Sequence, residues 1–421
     1  MLWTARSSGT AQIEPALVGS RIEPSGAERS GDRVVEREPD RVVEREPDRV
    51  GEDPAPSARN PPRSALSHRT PVSEGKLRWA RRHPRTTIVA GGVVAILALL
   101  WATSVGASDA SIVDVARSIW LVLTGAEAPE PYIGAHNVIM QLRIPRTLLA
   151  FLAGAVLTVA GIVLQGLLRN DLVSPYTLGV SPAAAFGASL VILLARDSAA
   201  GTDWLITLSA IFFALLASVL VLSLGAVRKM AIVTLVLLGI AFTQLFDAFT
   251  DTFKLIADEN TLSEIVHWAY GSVNGASWGQ VAIVGVALLF GFPYFQGHAK
   301  RLNAIAFVGD DTATSLGVNV PVLRGLHIGI AVVLTAIVVS FVGVVGFIGL
   351  VGPHIARFII GSDHRYLYVF GVIVGGTLLV AADVVGKVIM PPTIIPLGIV
   401  IAFIGVPLFL HLVIRGGGAR S

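Results

Sequence analysis

The residues able to do chemistry are few, and what they lack is as informative as what they offer. Proton- or sodium-coupled transport needs a carboxylate deep in apolar sequence, and only Asp247 and Asp383 qualify. Both fall toward the outer ends of their apolar runs, so capping or interfacial roles are expected of them. A phosphate-cradling loop ends in Gly-Lys-Ser/Thr; the nearest approach, Gly386-Lys387-Val388, lacks the first glycine and the hydroxyl. There is no His-Glu-x-x-His and no Gly-x-Ser-x-Gly. The absence of cysteine removes disulfides, thiolate metal sites and a thiol nucleophile. If the chain moves anything uphill, the energy comes from elsewhere.

One polar segment stands out, Leu302 to Leu323. Asp310 and Asp311 are expected to cap a short helix through Leu316. Gly317 is expected to end it in the left-handed conformation, and Asn319-Val320-Pro321 to start the next element. Two helices with a tight turn between them make a shape that a partner can grip.

The elements that position these residues are membrane helices. The 421 residues are 53% hydrophobic and only 14% charged, against about 25% charged in soluble domains. Mean hydropathy is +0.71. Apolar runs predict about ten spans, at 87–106, 147–167, 177–195, 204–226, 231–250, 278–296, 323–343, 347–361, 367–386 and 396–414. An extra half-helix is expected within 250–277. Lys and Arg crowd one side, from Arg81, Arg82 and Arg85 through Arg169, Arg228, Lys300, Arg301, Arg324, Arg357 and Arg365 to Arg415. By the positive-inside rule both termini are expected to be cytoplasmic. Before the first span, residues 1–80 read as a disordered tail, with Asp32 to Pro39 repeated as Asp40 to Pro47. It has no signal-peptide pattern. The net charge of +3 leaves no footprint for nucleic acid.

Four blocks then carry a resemblance. The first runs from Arg143-Ile-Pro-Arg-Thr-Leu-Leu through Gly161-Ile-Val-Leu-Gln-Gly to Leu168-Arg-Asn-Asp-Leu-Val-Ser-Pro175. The second is Trp268 to Gly275, and the third is the polar segment above. The fourth is Gly346-Phe-Ile-Gly-Leu-Val-Gly-Pro-His-Ile-Ala-Arg357, with Asp363-His-Arg365, Ala382-Asp383 and Ile395-Pro-Leu-Gly-Ile399. In this order and spacing the chain from Thr87 onward resembles the FecCD-type permease subunit of type II ATP-binding-cassette (ABC) importers. Those proteins take up ferric siderophores, haem or vitamin B12.

The resemblance implies an all-α polytopic permease domain over 81–416, with coupling helices at about 302–323. Asp310, Asp311, Leu316, Gly317, Val318 and Asn319 would then dock on an ABC ATPase. Arg143, Arg146 and Lys387 would meet acidic residues of an extracytoplasmic substrate-binding protein. Lys387 stands where arginine is common, a point charge in place of a planar fork. Gln165, Asn170, Pro175, Gly349, Pro353 and His354 are candidates for the path or gate. Gly346, Gly349 and Gly352 before Pro353 suggest a broken helix, and nothing near His354 completes a metal set. No cofactor is expected on this chain; ATP and magnesium belong to the ATPase. The further partners implied are a second permease copy or paralogue and the bilayer of the cytoplasmic membrane. Departures at Val344, Gly352 and Ile394 bear on the ligand.

The expectation is an importer permease without covalent chemistry, carrying a ferric siderophore, with haem or vitamin B12 as alternatives within the family. An ion-coupled secondary carrier is the rival of another class, and an export permease a further one.

Overall fold

Backbone N–H and C=O groups in a bilayer have no water to bond, so an apolar chain must satisfy them within helices. The computed structural model describes residues 79–106, 111–195, 202–228 and 230–416, without the side chains of 408 and 411–416. The expected tail lies outside these residues apart from 79 and 80.

The helices run in the order α1 (Pro84–Ser104), α2 (Ile112–Thr124), α3 (Ile133–Val138) and, through a π turn at Ile139–Arg143, α4 (Ile144–Leu168). Next come α5 (Val180–Leu194), α6 (Thr202–Val227), α7 (Ile232–Ile256), α8 (Glu259–Ala269) and α9 (Trp278–Val308). The chain ends with α10 (Asp310–Ser315), α11 (Val320–Val342), α12 (Ile348–Ile360), α13 (His364–Val388) and α14 (Leu397–Gly416). Among the described residues, seven helical segments are long and apolar enough to cross a membrane, and α5, α12 and the first part of α14 are shorter apolar helices. Together they reproduce the ten expected spans. The end of the bundle where α1 starts is here termed proximal, the other distal.

Helix α8 is the half-helix expected within 250–277. Its N-terminus is capped by Asp258, which accepts from the Thr261 hydroxyl at 2.6 Å. Helix α2 was not expected. It is fixed by a reciprocal capping box, Ser111 with Asp114, and ends on left-handed Gly125.

Helix α4 is the hub, packed against α9, α11, α12 and α13. Every residue from Ala153 to Leu168 is buried. Small residues make this possible. A side chain at Gly154 would overlap the Gly375 carbonyl of α13, and one at Gly161 the Gly349 carbonyl of α12. Pro353 has no N–H to give that Gly349 carbonyl its helical bond, and Gly161 packs on the spot. The expected break in this region therefore lies elsewhere: α12 runs through Pro353, and the non-helical backbone is 343–347. The cause is a knot of three chain segments. Ser272 N–H donates to Val342 O at 2.7 Å, Leu397 N–H to Gly271 O at 3.0 Å and Gly398 N–H to Tyr270 O at 2.9 Å. Gly271, at φ 72°, sits against the Val342 and Val344 carbonyls, where a side chain has neither room nor an easy backbone.

A second group, α5 with α6 and α7, packs around an aromatic cluster of Phe186, Phe213, Phe246, Phe249 and Phe253. It meets the first group where α11 packs on α6 and α5.

This packing predicts that Gly161→Val lowers the detergent-melt stability of the purified protein by about 3 kcal/mol, the upper end for overpacking. Gly92→Val, where an added side chain meets nothing within 4 Å, is expected to leave the melt unchanged.

Candidate functional site

The distal end gathers the three expected docking cations at one cavity, two of them on one acid. Asp383, in the last turns of α13, is 4% exposed and accepts from Arg146 through Nε at 3.0 Å and Nη2 at 2.8 Å. Lys387, one turn on, pairs with its second oxygen. Arg146 also donates to the Asn274 side-chain oxygen ahead of α9. Arg143 turns the other way and donates from Nη1 to the Thr103 and Ser104 carbonyls at 3.1 and 2.7 Å. Those are the last carbonyls of α1, which carry the negative end of its dipole. All three cations line one cavity of about 720 Å³ with Asn274, Leu142, Val388 and Ile394. Arg146 and Lys387 share one carboxylate, two positive charges on a single negative one. Asp383 and Asn274 were not among the expected site residues, because their part depends on which helices meet.

The proximal end presents α10. Its N-cap is Gly309, at φ 86°, so Asp310 and Asp311 fill the first turn and do not cap it as expected. Both still face the positive end of the helix. Gly317 is left-handed at φ 83°, as expected, and Asn319 caps α11 by accepting from Val322 N–H at 3.3 Å. The outward face is exposed, with Leu316 68% accessible.

The six path candidates do not share one cavity. Gln165 and Asn170 line a proximal polar cavity of about 410 Å³ with Arg169, Asp171, Arg357 and His364. There Arg357 bridges Asp171 at 2.7 Å and the Gln165 oxygen at 2.9 Å, two contacts that expectation missed. Pro175 packs on Gly349, and Gly349 and Pro353 pack on α4. His354 donates from Nδ1 to Leu350 O at 2.9 Å and faces the Phe409 ring. A separate groove of about 440 Å³ is lined by Ser174, Tyr176, Thr177, Tyr270, Phe347 and Gly398 among others.

Asp363, between α12 and α13, ties the proximal turns together. It accepts from the Arg365 guanidinium at 2.6 and 2.9 Å and from the Asn303 amide of α9 at 2.8 Å. The Arg365 pairing first, with the Asn303 and backbone bonds, holds its carboxyl down to about 2 against the opposing effect of burial. A depressed acid stabilises the fold above its ordinary pKa and loses that contribution on protonation. The stability gap between wild type and Asp363→Asn is therefore expected to be flat above about pH 5 and to close between about pH 4 and 2. At the distal end, Asp383→Asn strands two cations and is expected to cost about 3 kcal/mol in the same melt.

The profile of the FecCD transport family matches residues 94–415. The Fe(3+)-citrate import system permease protein YfmE of Bacillus subtilis is 36% identical over 275 residues, 65% of this chain and 81% of its own. The cobalamin import system permease protein BtuC of Halobacterium salinarum is 34% identical, over 70% of this chain and 79% of its own. A solved structure described as an inward-facing metal-chelate type ABC transporter superposes with a TM-score of 0.67 at 28% identity, covering 78% of this chain and 99% of that one. With its helices and motifs in the family's order along nearly the whole membrane region, the chain belongs to the FecCD transport family of multi-pass ABC importer permeases.

Proposed function

We propose that this permease carries a ferric siderophore into the cytoplasm through a path shared with a second permease copy or paralogue. The proximal end then faces the cytoplasm, as the Lys and Arg bias requires, and both termini lie there. An ABC ATPase seats on α10, and a substrate-binding protein docks at the distal cation cluster.

The observation that carries this reading is α10 itself. A six-residue helix that buries only Ala313, presents Leu316 outward and ends on an obligatory left-handed turn gains little by itself. Held at the end of a membrane bundle, it has the form of a grip for a rigid partner. The distal cluster supports the second contact, because its surplus positive charge suits acidic side chains. The groove around Ser174, Tyr176, Thr177 and Tyr270 supports the third: polar groups at bundle depth belong against a water-filled path or another helix, not lipid. The choice of an iron chelate draws on relatives named for Fe(3+)-citrate import, set against another named for cobalamin. Of the ion-coupled rival's two candidate acids, Asp383 is held by Arg146 and Lys387, which leaves that rival only Asp247.

The test is affinity purification from native membranes in mild detergent, with mass spectrometry and an ATPase assay of what co-elutes. A stoichiometric ATPase is expected, and Gly317→Pro, which cannot adopt φ 83°, is expected to release it. A pure, ATPase-free protein would refute the reading. At the distal end, Lys387→Gln is expected to weaken capture of the binding protein by about tenfold or more, in a pull-down at low salt.

A further inference from the structure

Arg324, in the first turns of α11, carries one of the charges that crowd the proximal end, yet it does not reach solvent. Its side chain is 4% exposed. One terminal nitrogen, Nη2, donates to both oxygens of Asp310 at 3.0 and 2.9 Å and to the Leu167 carbonyl at 3.2 Å. The other, Nη1, donates to the Met230 carbonyl at 3.3 Å. The acceptors belong to three separate pieces of chain: the first turn of α10, the last turn of α4 and the turn between α6 and α7.

Each acceptor has a reason to want this donor. Leu167 is in the last turn of α4, where carbonyls have no helical partner, and left-handed Arg169 ends the helix just beyond it. Met230, also left-handed at φ 56°, lies in a tight turn immediately before the Ala231 N-cap of α7. A guanidinium is rigid and planar, so its bonds cannot lengthen independently as a lysine's would. Burying one is costly, and a charge that only anchored the proximal end would remain in the interface. Moving α10 must therefore break the fork or carry α4 and the α6–α7 turn along. Through α4 the movement reaches the tightly packed α12 and α13. Through Met230 it reaches the aromatic group of α5, α6 and α7.

We infer that Arg324 is the positioning residue that transmits displacement of α10 to both halves of the bundle. This inference rests on the reading that α10 is where the ATPase seats.

The test uses the intact complex of permease and ATPase in liposomes. The chain contains no cysteine, so Leu172→Cys, on the exposed turn after α4, gives a single reporting thiol on it. Maleimide labelling of that thiol is measured with and without ATP and vanadate, beside ATPase co-purification and ATP hydrolysis. Wild type is expected to change its labelling rate between the two states. Arg324→Gln is expected to keep the ATPase bound and hydrolysing while that change shrinks by about fivefold or more. Arg324→Lys, which restores the charge without the fork, is expected to recover only a small part of it. A general loss of folding would instead remove assembly and hydrolysis together. For that case Arg324→Met decides, since it fills much of the buried space without the fork and leaves Asp310, 35% exposed, to solvent. Loss of the labelling change with the ATPase still bound supports the inference. A full labelling change in Arg324→Gln, Arg324→Lys or Arg324→Met, or loss of assembly in all three, overturns it. Absence of any ATPase from the wild-type complex refutes the proposed function instead, so the two failures are distinguishable.

Discussion

Backbone-to-backbone contact between α4 and its neighbours α12 and α13 is the constraint on which the rest of the structure depends. In a bilayer, leucine against leucine gains little over leucine against lipid, so helices associate through close approach. Gly154 against Gly375 and Gly161 against Gly349 provide that approach at two levels of α4. At its distal end α4 then holds Arg146 beside Asp383, and at its proximal end it offers Leu167 to Arg324. The distal cation cluster and the Arg324 fork are thus both hung on one buried helix. Their geometry follows from the close approach at Gly154 and Gly161.

The same constraint explains where helix is absent. Residues 343–347 and the stretches after α8 and before α14 leave the helical pattern at bundle depth, which lipid would not tolerate. They satisfy one another through the bonds at Val342, Gly271 and Tyr270. Motifs far apart in the chain, Trp268 to Gly275 and Ile395 to Ile399, are thus one structural object with the end of α11. Their glycines serve the knot first. The groove beside it, lined by Ser174, Thr177 and Tyr270, exists because the backbone there is not helical.

Much of this was legible in the sequence, and the misses have physical causes. Span positions follow from hydropathy, which is local, and all ten agree with the helices. The α2 capping box, Ser111 with Asp114, was equally local and readable, but α2 is too short for a span search. Asp310 and Asp311 look like caps by type, yet glycine, with its freedom at φ 86°, takes the cap position and Arg324 takes Asp310. A broken helix was the expectation from Gly346, Gly349 and Gly352 before Pro353; the break lies at 343–347, and α12 continues through Pro353. Gly161 packs on the Gly349 carbonyl, which Pro353 leaves without its helical N–H. The grouping of Arg143, Arg146 and Lys387 came from the family resemblance; that Asp383 and Asn274 organise it needed the fold. Nothing in the sequence distinguishes buried Arg324 from the exposed arginines around it.

Under the proposed function the permease has no energy source of its own, and the most direct measurement asks where the energy enters. Uptake of a radiolabelled ferric hydroxamate would be followed in proteoliposomes holding the permease alone, and then with its ATPase and binding protein. The account predicts uptake only with the partners and ATP, undiminished when the proton gradient is collapsed. Uptake by the permease alone, driven by an imposed proton gradient, would contradict it.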